Sequence, residues 1–165
     1  MATWDEVRAS APDLARAAEA LFDAHRHKML ATLRRDGSPR LSGIESFFTD
    51  GDLWLGMMHG SRKAHDLQRD PRLALHSPSV DPPDDPTAWA GDAKVSGRAE
   101  EIADAAEIQR VLVAAGQDEA AAAGPLHLFR VDISDVTTVR VGDPADHLVI
   151  ELWREGEGLR RMRRE

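Results

Sequence analysis

The stretch LWLGMMHGSRKAHDLQRDP, residues 53–71, decides the fold of this 165-residue chain. Its pattern predicts a short apolar strand, a glycine turn, a short helix and a proline stop. Ser61 stands where an N-cap belongs, and Arg62 and Lys63 fall in the first helical turn, where the helix macrodipole favours anions instead. Free N–H groups, a hydroxyl, a guanidinium and an ammonium together form a good phosphate-binding arrangement. The alternative is a solvated, serine-capped helix.

Strands joined by tight turns are predicted on both sides of this helix. The turns Arg35-Asp36-Gly37-Ser38 and Asp50-Gly51-Asp52 separate the strands that precede it. Connections this short join antiparallel strands, because parallel strands need a crossover of about a dozen residues or more. The strands predicted around the helix are 28–33, 40–48, 53–58 and 72–76.

The rest of the chain combines further strands with two helices. Ser10-Ala11-Pro12-Asp13 resembles a capping box and opens an amphipathic helix. A second helix is predicted over Ala103–Ala115, which the alanine-rich Gln117–Ala123 extends weakly. A long strand at 89–101, interrupted at Gly97, is followed by strands at 126–131, 137–141, 148–153 and 159–163.

These elements predict an α+β fold that is mainly antiparallel β. About seven strands with helices at the periphery are typical of an antiparallel barrel. The length suits a single domain over residues 1–165, with an N-terminal helix at about 10–25 and the barrel at about 28–163.

Composition limits the kind of partner and compartment. The net charge of −8 argues against nucleic acid as a partner, because phosphate backbones require a basic surface. The chain has no cysteine, no apolar run approaching ~20 residues and no signal-peptide pattern. We therefore expect a cytoplasmic protein without disulfides and without a membrane span.

The segment Gly60-Ser61-Arg62-Lys63-Ala64-His65, followed by Asp70-Pro71-Arg72-Leu73-Ala74-Leu75, closely resembles the phosphate-binding segment of the pyridoxamine 5'-phosphate oxidase family. That family belongs to the split β-barrel flavoproteins, which include flavin- and deazaflavin-dependent reductases. The resemblance implies an FMN-binding split barrel that works as a homodimer, with cofactors in clefts at the subunit interface. It also implies that Arg62 and Lys63, with Ser61, hold the FMN phosphate.

Other positions match cofactor contacts of the family when the chain is aligned outward from that segment. Arg40, Leu41 and Ser42 begin a segment that runs along the flavin ring in the oxidases. Gly56 and Met57 replace a Tyr-Thr pair that contacts the cofactor, and Asp92 stands where a flavin-contacting glutamine is usual. The alternatives are an ordinary surface arginine at Arg40 and core packing for the methionines at 57 and 58. Strand alternation requires that one of these two methionines point inward.

The chain also departs from the family's substrate site. Glu45 replaces a lysine that approaches the substrate phosphate in the oxidases, Val139 replaces a tryptophan beside the cofactor, and residues 142–146 lack an Arg-x-His segment. We therefore expect the cofactor site to be retained and the vitamin B6 site to be absent. The structural alternative for Glu45 is pairing with Arg40 or another strand arginine.

No pattern identifies a catalytic side chain. The seven histidines lack metal-ligand spacing, so no metal site is predicted. A nucleophile elbow, a Walker A loop and a dinucleotide fingerprint are absent too, which is typical of a protein whose cofactor carries the reaction. The leading hypothesis is an oxidoreductase that moves a hydride between FMN, or the deazaflavin F420, and a small molecule. The alternative is a non-catalytic flavin- or haem-binding carrier, store or sensor.

Overall fold

The structure is a computed structural model, and it describes residues 2–118 and 124–165. The helices in these ranges are α1 (Trp4–Ser10), α2 (Pro12–Asp23), α3 (Arg62–Arg69) and α4 (Ala105–Ala114), with a short 3-10 turn at Pro86–Ala88. The strands there are β1 (His27–Leu33), β2 (Pro39–Thr49), β3 (Asp52–Met58), β4 (Arg72–His76), β5 (Asp92–Ile102), β6 (Leu126–Val141), β7 (Leu148–Arg154) and β8 (Gly158–Arg164).

The described strands form one antiparallel sheet that closes on itself. Their order is β3-β2-β1-β4-β5-β6-β7-β8, and β3 also pairs with β6. Leu55 lies opposite Phe129 at this closure, so the first six strands form a barrel and β7 and β8 extend from it. The predicted α+β antiparallel barrel with peripheral helices is confirmed.

The barrel interior follows from strand alternation. Leu30, Ile44 and Leu55 point inward and are fully or almost fully buried. Helices α1 and α2 pack against this core, and the ring centroids of Trp4 and Phe48 lie 4.6 Å apart there. The main core therefore lies inside the barrel and under these two helices, and a second, smaller cluster packs Leu112 of α4 against Trp54 and Leu128.

The capping box lies at a different place in the chain from the one predicted. Helix α1 was not predicted, yet Thr3 and Glu6 form a capping box there: the Glu6 N–H donates to Thr3 Oγ1 at 3.2 Å, and the Thr3 N–H donates to the Glu6 carboxylate at 2.7 Å. The capping box expected at Ser10–Asp13 is wrong, because Ala11 is the N-cap of α2 and has no side-chain acceptor.

Strands β5 and β6 differ from their predicted bounds. The predicted interruption at Gly97 is confirmed as a register shift between Ser96 and Gly97, where a Cβ would lie 2.2 Å from the carbonyl oxygen of Asp132. Two strands expected within 126–141 are one continuous strand, and β5 begins at Asp92 rather than at residue 89.

Helix α4 ends at Ala114. The predicted continuation over residues 117–123 is wrong for Gln117 and Asp118, which are not helical, and residues 119–123 lie outside the described ranges. None of the helices in the described ranges is long and apolar enough to cross a bilayer.

Candidate functional site

The N-terminus of α3 leaves a buried hydroxyl unused. Ser61 is the N-cap, as predicted, with φ −65° and ψ 145°, but its side chain makes no capping hydrogen bond. Its Oγ is buried and has no hydrogen-bond partner in the part of the chain that the structure describes. The first backbone N–H groups of any α-helix also lack acceptors within the helix. Several donors therefore converge at this helix end.

The two cations after Ser61 point into different depressions. Lys63 enters an open cleft of about 420 Å³ on the outer face of β2 and β3, here called the outer cleft. Arg62 enters a second depression of about 510 Å³, here called the basic pocket. The outer cleft is lined by His27, Gly43, Ile44, Glu45, Phe47, Gly56, Met57, Met58, Lys63, Leu112, Gln117, Pro125 and Leu126. The basic pocket is lined by Arg34, Arg35, Asp36, Arg40, Arg62, His65, Asp66 and Arg69.

Two glycines form the floor of the outer cleft. Gly56 lies opposite Glu45 in the β2–β3 pairing, and a Cβ added at Gly43 or Gly56 would meet no heavy atom within 4 Å. Phe47 and Leu112 supply apolar walls beside these glycines. The outer cleft is therefore open to a flat group that packs against bare backbone.

Charged groups stand at the rim of the outer cleft. Lys63 Nζ donates to the Gly43 carbonyl oxygen at 2.5 Å. Burial lowers the pKa of Lys63, and the nearby Glu45 carboxylate partly opposes this shift. Glu45 accepts two hydrogen bonds from Arg26, at 2.9 and 3.2 Å. Glu45 thus pairs with an arginine, but Arg26 lies in the bend before β1 and is neither Arg40 nor another strand arginine as expected.

The basic pocket is organised by one buried carboxylate. Asp66 accepts hydrogen bonds from Arg40 at 2.6 Å, from Thr32 at 2.9 Å and from Arg69 at 3.2 Å. Burial would raise the pKa of Asp66, but these three donors together lower it. Arg62 differs from them, because no ion pair or hydrogen bond joins it to the residues that the structure describes. Arg62 is therefore free to bind an anion.

The structure separates the other sequence-predicted residues. Leu41 lies on the outer face of β2 and is 69% exposed, whereas Ser42 lies on the inner face opposite Leu30. The side chain of Met57 is in the core at 4% exposure and Met58 is 82% exposed, which confirms the expected alternation. Met57 can therefore offer only its backbone to the outer cleft.

Asp92 lies on another strand, apart from both depressions. Asp92 begins β5 opposite Val139. Its carboxylate oxygens lie 3.3 Å from Lys94 Nζ and 3.7 Å from His76 Nε2. It lines neither the outer cleft nor the basic pocket.

Sequence reasoning missed several residues that line the two depressions. Arg35 was predicted only as part of a hairpin turn and Arg34 was given no role, although both reach the basic pocket. Gly43 and Met58 share an outer face with predicted positions, and strict two-residue alternation from Leu41 and Gly56 was the signal that could have found them. No group of three His, Asp or Glu within residues 2–118 and 124–165 is arranged to hold a metal ion.

Solved structures share this fold at low sequence identity. PhzG from Burkholderia lata 383, in complex with tetrahydrophenazine-1-carboxylic acid, is 14% identical, with 96% of this chain and 88% of that chain covered and a TM-score of 0.61. The conserved hypothetical protein Rv2991 from Mycobacterium tuberculosis is 22% identical over 73% of this chain and 79% of that chain, with a TM-score of 0.58. A structure described as an F420 reductase is 21% identical over 72% of this chain and 94% of that chain, with a TM-score of 0.52.

The sequence itself identifies the family. No curated protein matched the chain significantly. The family model for pyridoxamine 5'-phosphate oxidase matches residues 14–140, which is most of the chain and includes β1–β5, α3 and nearly all of β6. The chain therefore belongs to the pyridoxamine 5'-phosphate oxidase family of split β-barrels.

Proposed function

We propose that the chain is an FMN-binding oxidoreductase whose α3 N-terminus binds the cofactor phosphate. The observation that carries this proposal is the buried Ser61 Oγ next to the guanidinium of Arg62, neither of which has a partner among the residues that the structure describes. Leaving a buried hydroxyl unsatisfied costs about 1–3 kcal/mol, which a phosphate oxygen accepting from Ser61 would recover. The free amides at the helix end and the ammonium of Lys63 add further donors.

The outer cleft suits the cofactor ring. Its volume of about 420 Å³ lies in the usual range for small-molecule sites, and Gly43 and Gly56 leave its floor without side chains. A flavin supplies hydride transfer, and the protein supplies binding, orientation and electrostatics. The small-molecule substrate would share this cleft, where the described residues present mainly apolar walls and the paired Glu45.

A homodimer would complete the site. Met29 and Leu41 are exposed apolar side chains on the outer face of β1 and β2, at 43% and 69%. Asp92 lines neither depression, so any contact between Asp92 and a cofactor in the outer cleft would have to come from a second copy. Burial of these apolar groups in a two-fold interface of more than ~1,000 Å² would stabilise such a dimer.

The deazaflavin F420 is the second candidate cofactor. The basic pocket adjoins the α3 N-terminus and carries Arg34, Arg35 and Arg62, which favour a ligand with more negative charge than one phosphate. A structure with the same fold is described as an F420 reductase. FMN remains first because the Ser61 and Arg62 arrangement requires only a single phosphate.

Cofactor titration of paired variants tests the assignment. Arg62→Ala should weaken FMN binding roughly ten- to a hundredfold, corresponding to about 1.5–3 kcal/mol for a charge-assisted contact. Arg16→Ala, which removes an exposed guanidinium from α2, is the matched control and should bind like the wild type. Equal affinity of Arg62→Ala and wild type for both FMN and F420 would contradict the proposal. Tenfold tighter binding of F420 than of FMN would reverse the order of the two cofactors.

A further inference from the structure

Three histidine rings surround the turn that leads into α3. The rings of His59 and His127 are stacked with centroids 5.1 Å apart and an interplanar angle of 5°. The ring of His65 meets His127 edge-on at 6.4 Å. His127, at the start of β6, is the most buried of the three, with a side chain only 11% exposed.

The hydrogen bonds of His127 determine which nitrogen carries the proton. The Gly60 backbone N–H donates to His127 Nε2 at 3.1 Å, so this nitrogen must be an unprotonated acceptor. The neutral ring then carries its hydrogen on Nδ1, which lies 2.6 Å from a Glu101 carboxylate oxygen and donates to it. Glu101 in turn accepts from Gln68 of α3 at 3.0 and 3.1 Å. A continuous chain of hydrogen bonds, here called the relay, thus runs from Gly60 through His127 and Glu101 to Gln68 of α3.

We propose that His127 is a positioning residue for the phosphate-binding turn, and that protonation of its Nε2 releases Gly60 and weakens anion binding at Ser61 and Arg62. This inference rests on the proposed function. A proton on Nε2 turns the acceptor into a donor facing another donor, so the bond to Gly60 is lost. Gly60 has a φ of +68°, a conformation that side-chain-bearing residues rarely adopt, so the turn depends on this residue and its anchor.

The groups around His127 determine the direction of the effect. The titratable groups that face the His127 ring are Glu101 from β5, His59 after β3 and His65 from α3. The charge gained attracts anions, but the Glu101 carboxylate, 2.6 Å from Nδ1, offsets it. Loss of the Gly60 anchor instead displaces the adjacent Ser61 and the first amides of α3 together. Binding therefore weakens once the solution is acidic enough to protonate His127 Nε2.

The relay can be tested in the protein without cofactor. In ¹⁵N NMR spectra, His127 should show the Nδ1–H tautomer when neutral, and the Gly60 amide resonance should shift with pH together with the His127 ring. The Gly60 shift should disappear in His127→Gln and persist in His25→Gln, a matched change at an exposed residue after α2. An Nε2–H tautomer, or a Gly60 amide that does not respond to pH, would overturn the inference whatever the cofactor is.

Binding of FMN then tests the consequence. The phosphate of FMN titrates near pH 6 and affects every variant alike, so the ratio of wild-type to variant affinity isolates His127. Between pH 8 and pH 5 the wild type should lose about three- to tenfold more affinity than His127→Gln, which is the range for one backbone hydrogen bond. Parallel pH profiles for the wild type and His127→Gln would overturn the inference and leave the proposed function intact. If FMN did not bind at any pH while the Gly60 amide resonance still shifted with pH, the result would support the relay and overturn the cofactor assignment.

Discussion

Replacing Asp66 with alanine is expected to destabilise the protein by about 3 kcal/mol. The side chain of Asp66 is 5% exposed, and it links α3 to two strands through Thr32 on β1 and Arg40 on β2. Breaking a buried ion pair by removing one partner costs about 3–5 kcal/mol. Arg40 is 20% exposed and can be partly hydrated, which places the expected cost at the lower end of that range.

Urea unfolding at pH 7, followed by tryptophan fluorescence, measures this change. With a slope of about 1.5–2 kcal/mol per molar urea for a chain of this size, the midpoint should fall by roughly 1.5–2 M. Arg62→Ala is the matched control and should change the free energy of unfolding by less than about 0.5 kcal/mol, because Arg62 makes no ion pair with the described residues. A midpoint shift below about 0.5 M for Asp66→Ala would refute the structural role given to this carboxylate.

The pH dependence of the difference in unfolding free energy between wild type and Asp66→Ala provides an independent check. The pKa of Asp66 is lowered in the folded state by its three donors, despite its burial, so its stabilising effect is fully present above the unfolded value of about 3.9. The effect is lost as the pH falls through the still lower folded pKa. Wild type and Asp66→Ala should therefore differ equally at pH 7 and pH 5 and converge only in stronger acid. Convergence already near pH 6 would show that another group is responsible.

Three further outcomes follow from the two depressions and the exposed strand face. Gly56→Leu should leave the free energy of unfolding nearly unchanged and weaken FMN binding at least about tenfold by filling the outer cleft, while Gly56→Ala should bind nearly normally. The wild type should be a dimer and Leu41→Asp a monomer in light scattering at micromolar concentration; a wild-type monomer that still binds cofactor would contradict the proposed assembly. The FMN-loaded protein should not oxidise pyridoxamine 5'-phosphate with oxygen, because Glu45 and its partner Arg26 neutralise each other; turnover near 0.1–1 s⁻¹ would contradict this expectation.

The barrel could be predicted because local and long-range signals agree along much of the chain. Turn residues at Gly37 and Gly51 adopt the positive φ that tight hairpins need, and the apolar alternation between them specifies which faces are inside. Helix α3 was predicted from the same kind of local evidence, including its Ser61 N-cap. These features depend on residues that are close in sequence.

The errors arose where distant contacts decide the structure. Asp132 and Asp135 made the middle of β6 resemble a loop, but both are paired with β5, which keeps the strand continuous. The divergence of Arg62 and Lys63 into two depressions depends on how α3 packs against the barrel, which local sequence does not specify. The relay from Gly60 to His127 joins residues 67 positions apart and has no local signature.

The β8 strand has a consequence for how copies of this protein meet. Pairing of β3 with β6 closes the barrel, so within the described ranges β8 is the sheet's unpaired edge. An open edge exposes backbone groups that can template the growth of a sheet through neighbouring chains. Here that edge carries exposed Arg160, Arg161, Arg163 and Arg164. Arg160, Arg161 and Arg163 are paired with Glu157, Glu151 and Asp146, so a second copy could gain backbone hydrogen bonds along β8 only by crowding these charged side chains together, which disfavours fibrous stacking at this edge.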